Sequence, residues 1–133
     1  MKLFVAWLLA VVLVIASFNI SSRVIYAAKE LTIEQKITKL ALEYHVNPAV
    51  VHAIISCESE YKSSAIGKMA VIGQDIGIWQ INSYFHEEAA KERGLNIYNS
   101  NDNLRYGMIL LFEKGTQPWK ASRTCWSKKL SVA

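Results

Sequence analysis

Cysteine is scarce in this chain, with only Cys57 and Cys125 among 133 residues. There is no CxxC, and His45, His52 and His86 stand at no ligand-like spacing from either cysteine, so the sequence implies neither a metal site nor a cofactor. Acidic residues are missing after Glu113, whereas Lys114, Lys120, Arg123, Lys128 and Lys129 follow it. Charges of either sign are missing between Lys2 and Arg23. No internal repeat is present, and 52% apolar residues exclude a disordered tail or a low-complexity linker. The length suits one domain and leaves no room for a nucleotide-binding domain beside a second lobe.

The apolar surplus is concentrated at the start, where residues 3–16 are fourteen apolar residues in a row. A polar patch (Ser17, Asn19, Ser21, Ser22) and Tyr26-Ala27-Ala28 follow. Residues 1–28 therefore read as a signal peptide or an N-terminal membrane anchor. Tyr26 stands where a cleavage site after Ala28 wants a small residue. The run extended through Phe18 and Ile20 approaches the ~20 residues that span a bilayer, so both versions stand. Residues 29–133 form the domain, about 45% apolar, which is ordinary for a soluble fold. Its formal charge falls from +4 to +2 once Lys2 and Arg23 are set aside. The acid-free end suits an anionic polymer or is simply solvated. Asp75, Glu87, Glu88, Glu92 and Asp102 interrupt any basic stripe, so no nucleic-acid partner is expected.

Export to an oxidising compartment would make the two cysteines a pair. A Cys57–Cys125 disulfide is expected, the alternative being two buried free thiols. Closing so long a loop stabilises a small domain by roughly 2–5 kcal/mol.

Thr32 with Gln35 forms a capping box, and Ile33, Ile37, Leu40, Ala41 and Tyr44 share one helical face ending near Val46. Asn47-Pro48 then opens a second helix with Val50, Val51, Ile54 and Ile55, running to Cys57-Glu58-Ser59. Residues 61–77, with Gly67, Gly73 and Gly77, lack helical period and read as a long loop or short irregular hairpin. Residues 84–93 suit a third helix closed by Gly94. Asn101 or Asp102 would cap a fourth, with Leu104, Met108, Leu111 and Phe112 inward and Gly115 as its stop. Pro118-Trp119 opens an irregular or short helical end. The fold class is mainly α (α+β), a small helical domain whose Gly-rich loop or short hairpin forms a cleft.

Glu58 falls at the end of an apolar helix, where burial and the helix C-terminus both disfavour the charged carboxylate. A carboxyl kept protonated in this way can act as a general acid. Asp75 lies 17 residues on, followed by Gly77 and Trp79-Gln80-Ile81-Asn82. Trp79, Gln80, Asn82 and Tyr84 combine flat apolar faces with amides and a hydroxyl, as sugar binding needs. Paired carboxylates across a cleft are the usual apparatus of glycosidic chemistry. The plainer alternatives are a core Trp79, an amide that caps backbone, and an Asp75 that closes a turn. His45, His52 and His86 read as packing or surface residues, and Tyr61 as packing under the loop or reaching the cleft floor.

Glu58-Ser59 followed by Gly77-Ile78-Trp79-Gln80-Ile81-Asn82 resembles the Glu-Ser and Gly-Leu-Met-Gln signatures of soluble-lytic-transglycosylase-type (SLT) domains in the lysozyme-like superfamily. Tyr44-His45-Val46-Asn47-Pro48, Asp102-Asn103, Gly115 and Trp119 extend the resemblance over roughly residues 31–126. It implies a lysozyme-like fold and a lytic transglycosylase in which Glu58 acts first as acid and then as base. The bond cleaved would join N-acetylmuramic acid to N-acetylglucosamine in peptidoglycan, leaving a 1,6-anhydro ring. By the same resemblance Gln80 shapes the saccharide site, Ser59 supports the glutamate, and Trp79, Asn82 and Tyr84 contact substrate. The implied partners are glycan strands in the periplasm or cell envelope. The setting would be wall remodelling, a secretion or conjugation apparatus, or a phage particle.

Two departures qualify the resemblance. Trp79 replaces the methionine before glutamine, and the family's later Ala-x-x-x-Tyr-Asn-x-Gly stretch is replaced by Trp119-Lys120-Ala121-Ser122-Arg123-Thr124-Cys125-Trp126. That stretch is expected to form the other wall of the cleft and to tie back to Cys57. The Glu58–Asp75 spacing also resembles animal lysozymes, in which water completes hydrolysis, although two cysteines fall short of their dense disulfide set. A non-catalytic exported glycan-binding module is the third reading.

Overall fold

The computed structural model describes residues 30–67 and 72–132. The expected signal or anchor over residues 1–28 lies outside them. Among the described residues no helix is long and apolar enough to cross a membrane.

Helix α1 (Ile33–Glu43) begins where its capping box places it. The Gln35 N–H donates to Thr32 Oγ1 at 3.3 Å, and the Thr32 N–H donates to Gln35 Oε1 at 3.0 Å. The helix buries Ile37 and Ala41. Helix α2 (Pro48–Glu58) is capped by Asn47, whose Oδ1 accepts from the Ala49 N–H at 2.9 Å, and Pro48 occupies the first turn, where a missing N–H does no harm. Val51, Ala53, Ile54 and Ile55 of α2 are buried because α1 packs on it from one side and the terminal helix from another.

The glycine-rich middle contains the short hairpin. Strand β1 (Asp75–Ile76) pairs antiparallel with β2 (Ile81–Asn82), setting Asp75 opposite Asn82 and Ile76 opposite Ile81. Ile66 adds one bridge to Ile76. Residues 77–80 make the turn. Gly77 sits at φ 73°, and a Cβ there would lie 2.5 Å from Asn103 Cγ, so the turn approaches the following helix too closely for any side chain. Gln80 adopts φ 51°, unusual for a side-chain-bearing residue, and its Nε2 donates to the Gly77 carbonyl at 2.8 Å, which offsets the strain.

Helix α3 (Ser83–Lys91) starts one residue before the expected 84 because Asn82 caps it, its Oδ1 accepting from the Tyr84 N–H at 3.1 Å. Helix α4 (Ser100–Lys114) is capped by Asn99 rather than by Asn101 or Asp102. Asn99 Oδ1 accepts from the N–H groups of both those residues, while Asp102 Oδ2 accepts from the Asn96 N–H. Leu104, Met108 and Leu111 are buried as expected, but Phe112 is 64% exposed. Asn103, Tyr106 and Leu110 are buried instead, because α4 is enclosed on more than one side. A 3-10 segment (Gln117–Ser122) and helix α5 (Arg123–Leu130) complete the chain.

Three indoles join the hairpin to the C-terminal wall. Trp79 is fully buried and lies so close to α4 that a Cβ on Gly107 would be 2.2 Å from its Cδ1. Its Nε1 donates to the Leu104 carbonyl at 3.1 Å. Trp119 stacks on it with centroids 4.7 Å apart and donates from Nε1 to the Trp79 carbonyl at 2.9 Å. Trp126 Nε1 in turn donates to the Trp119 carbonyl at 3.0 Å. Each such bond is worth about 1 kcal/mol net, and each would cost more if left unmade in the core. Cys57 and Cys125 are bonded, fastening the end of α2 to α5, so the alternative of free thiols does not hold. The result is the mainly helical α+β lysozyme-like arrangement that the sequence implies.

Candidate active site

Glu58 is the last residue of α2, half-buried, with its carboxyl in a cavity of about 270 Å3. Asp75 and Asn82 enter this cavity from the hairpin, Gln80 from its turn, and Phe85 and His86 from α3. Pro118, Trp119 and Ala121 form the opposite side, so the C-terminal segment is the second wall of the cleft. A somewhat larger hollow of about 330 Å3 lies between α1 and the start of α4. Its one carboxylate, Glu43, pairs with Lys39 at 3.8 Å, so that hollow offers no acid–base pair.

Burial holds the Glu58 pKa above the ordinary carboxylate range. A hydrogen bond from Ser122 Oγ to Glu58 Oε1, at 2.5 Å, pulls in the other direction, and the negative charge of Asp75 pushes further upward. A carboxyl biased toward protonation yet open to a cavity has the properties of a general acid.

Ser59 caps α2 and is buried, its Oγ donating to the Ile78 carbonyl at 2.8 Å. It locks the end of α2 to the hairpin turn, but it does not line the cavity. Trp79 also differs from the expected substrate contact: it is 0% exposed, because Gly107 admits its ring against α4 and Trp119 covers the other side. Gln80 lines the cavity while its amide nitrogen is held by the Gly77 carbonyl. Asn82 Nδ2 donates to Asp75 Oδ1 at 3.1 Å and so orients that carboxylate across the hairpin. Tyr84 is 68% exposed and meets Phe85 edge to face at 5.1 Å, and it is Phe85 that borders the cavity.

The sequence reading missed Phe85, His86 and Ser122. His86 is more than a packing residue: it borders the cavity, with Nδ1 3.2 Å from the Tyr106 hydroxyl. Burial, then the Lys114 charge, lowers its pKa, favouring the neutral ring. Phe85 and His86 follow the Asn82 cap directly, so the first turn of α3 was the available signal. Ser122 lies 64 residues from Glu58, and only the expectation of a C-terminal second wall pointed to it. Tyr61 is partly buried against the core, its hydroxyl 3.1 Å from His52 Nδ1 of α2, and does not border the cavity. Among the described residues no group of three or more His, Cys, Asp or Glu side chains could hold a metal ion.

Among known protein families, the model "Transglycosylase SLT domain" matches residues 35–120. Neither the curated proteins nor the solved structures gave a match.

Proposed function

Because the chain belongs to the transglycosylase SLT domain family, whose members act on peptidoglycan, we propose that it is a lytic transglycosylase with Glu58 as its acid and then its base. The observation that carries this reading is the half-buried Glu58 carboxyl, biased toward protonation and opening into the cleft between hairpin and C-terminal wall. Protonated Glu58 delivers its proton to the glycosidic oxygen between N-acetylmuramic acid and N-acetylglucosamine. The acetamido group of the muramic acid assists departure of the leaving sugar. The resulting Glu58 carboxylate then removes the proton of the C6 hydroxyl, which attacks C1 and closes the 1,6-anhydro ring. The proton returns to Glu58, and no water is consumed. Phe85 offers a flat apolar face to a sugar, and Gln80 shapes the floor.

The proposed place of action is the cell envelope, reached through residues 1–28 as a signal or an anchor. Replacing Glu58 with Gln removes the acid while keeping the shape of the side chain. Clearing of purified peptidoglycan should fall by at least ~100-fold, while co-sedimentation with insoluble wall persists. Undiminished clearing would refute the assignment, and a wild-type chain that sediments with wall but never cleaves it would mark a binding module. A second reading, retaining hydrolysis, rests on Asp75, which borders the same cavity and acts electrostatically on Glu58.

A further inference from the structure

We propose that Ser122 is the positioning residue of Glu58, a hydroxyl that swings between two acceptors as Glu58 changes protonation state. The inference rests on Glu58 being the acid–base residue of the proposed reaction. Ser122 Oγ lies 2.5 Å from Glu58 Oε1 and 3.1 Å from the Trp119 carbonyl. A serine hydroxyl has one proton and can donate to only one of them at a time. When Glu58 is a carboxylate, donation to Oε1 is the stronger, charge-assisted choice. When Oε1 carries the proton, Glu58 becomes the donor to Ser122 Oγ, and the serine proton turns to the Trp119 carbonyl. Neither state leaves a buried polar atom unpaired, so Glu58 can gain and lose its proton without moving. The acid form can also carry its proton on Oε2, and Ser122 then keeps donating to Oε1.

The wall that carries Ser122 is built to hold this position. The Trp119 carbonyl is itself fixed by Trp126 Nε1 at 3.0 Å, and Trp119 is stacked on the buried Trp79. Three residues after Ser122, Cys125 is bonded to Cys57, the residue before Glu58. Both partners of the hydrogen bond are therefore anchored within one covalent clasp. The other titratable groups facing the cavity are Asp75 from β1 and His86 from α3. Ser122 lies two residues beyond the stretch matched by the family model, residues 35–120.

The test follows the Glu58 carboxyl by 13C NMR titration of the full chain, wild type, Ser122→Ala and Ser122→Thr, alongside the pH dependence of glycan cleavage. Removing the donor should raise the Glu58 pKa by about one pH unit, since a hydrogen bond to a charged group is worth at least the ~1.4 kcal/mol that one unit represents. The threonine variant, which keeps the hydroxyl, should titrate within a few tenths of wild type. Cleavage by the alanine variant should lose kcat by about tenfold with KM little changed, and its basic limb should move upward with the NMR value. An unchanged or lowered Glu58 pKa in the alanine variant would overturn the proposal, as would a threonine variant that titrates like alanine. The titration reads the hydrogen bond even in a chain that cleaves no glycan, so failure of the proposed activity is separable from failure of this inference. Should the alanine variant not fold, Ser122→Cys, a weaker donor of similar size, should raise the Glu58 pKa above wild type, and an unchanged or lowered value would overturn the proposal.

Discussion

Opening the Cys57–Cys125 bond is the perturbation whose consequences the structure defines most fully. The bond closes a separation of 68 residues. In the chain-entropy treatment, a loop of that size stabilises the folded state by about 4 kcal/mol. For a domain near 100 residues this corresponds to a fall in Tm of roughly 15–30 °C. A second effect is local. Cys57 precedes Glu58, and Cys125 follows the segment that brings Ser122 to Glu58. Releasing α5 loosens the wall that presents this hydroxyl and should lower cleavage even where the helices persist. Cys125 is exposed, so a phosphine reductant reaches the bond without prior unfolding. The assay is thermal unfolding followed by circular dichroism, oxidised against reduced, with glycan cleavage measured well below both midpoints. Cys57→Ser/Cys125→Ser serves as a control for reductant effects. A Tm shift under about 5 °C, together with undiminished cleavage in the reduced chain, would refute the reasoning.

Gly107→Ala should destabilise the fold by about 1–3 kcal/mol, although alanine is the better helix former, because its Cβ would meet Trp79 at 2.2 Å. Chemical denaturation checks this, and a stabilised variant would show that the indole is not pinned. Glu58→Gln should change stability with pH in a defined direction. A carboxyl whose folded pKa is raised favours folding below its unfolded pKa and loses that contribution as pH rises through the folded value. The variant should therefore gain Tm relative to wild type between pH 4 and pH 8, and a constant or shrinking difference would contradict the raised pKa. Asp75→Asn should leave most cleavage intact if the product is an anhydro sugar, and loss of nearly all activity would favour the hydrolytic reading.

Much of the scaffold was legible because its signals are local. The Thr32–Gln35 box, Asn47-Pro48 and the glycines after α3 and α4 each act within a turn or two, and each marks an element of the structure. Cap choice was harder along Asn99, Asn101 and Asp102, where three competent side chains sit close together and tertiary geometry selects among them. The site was partly legible. Glu58, Asp75, Gln80 and Asn82 all border one cavity, and Cys57 and Cys125 are joined. Trp79 misled because an aromatic in a turn motif suggests a sugar platform. What buries it is the absence of a side chain at Gly107, 28 positions along the chain. Ser122 was out of reach for a related reason: a hydrogen bond spanning 64 residues has no periodicity to betray it.

The central claim is that Glu58 cleaves the strand by ring closure rather than by adding water. Mass spectrometry of muropeptides released from purified wall in 18O-water tests it most directly. The account predicts 1,6-anhydro-muramic products without solvent oxygen from the wild-type chain and none from Glu58→Gln. Reducing-end products that carry 18O, lost on changing Glu58 or Asp75, would contradict it.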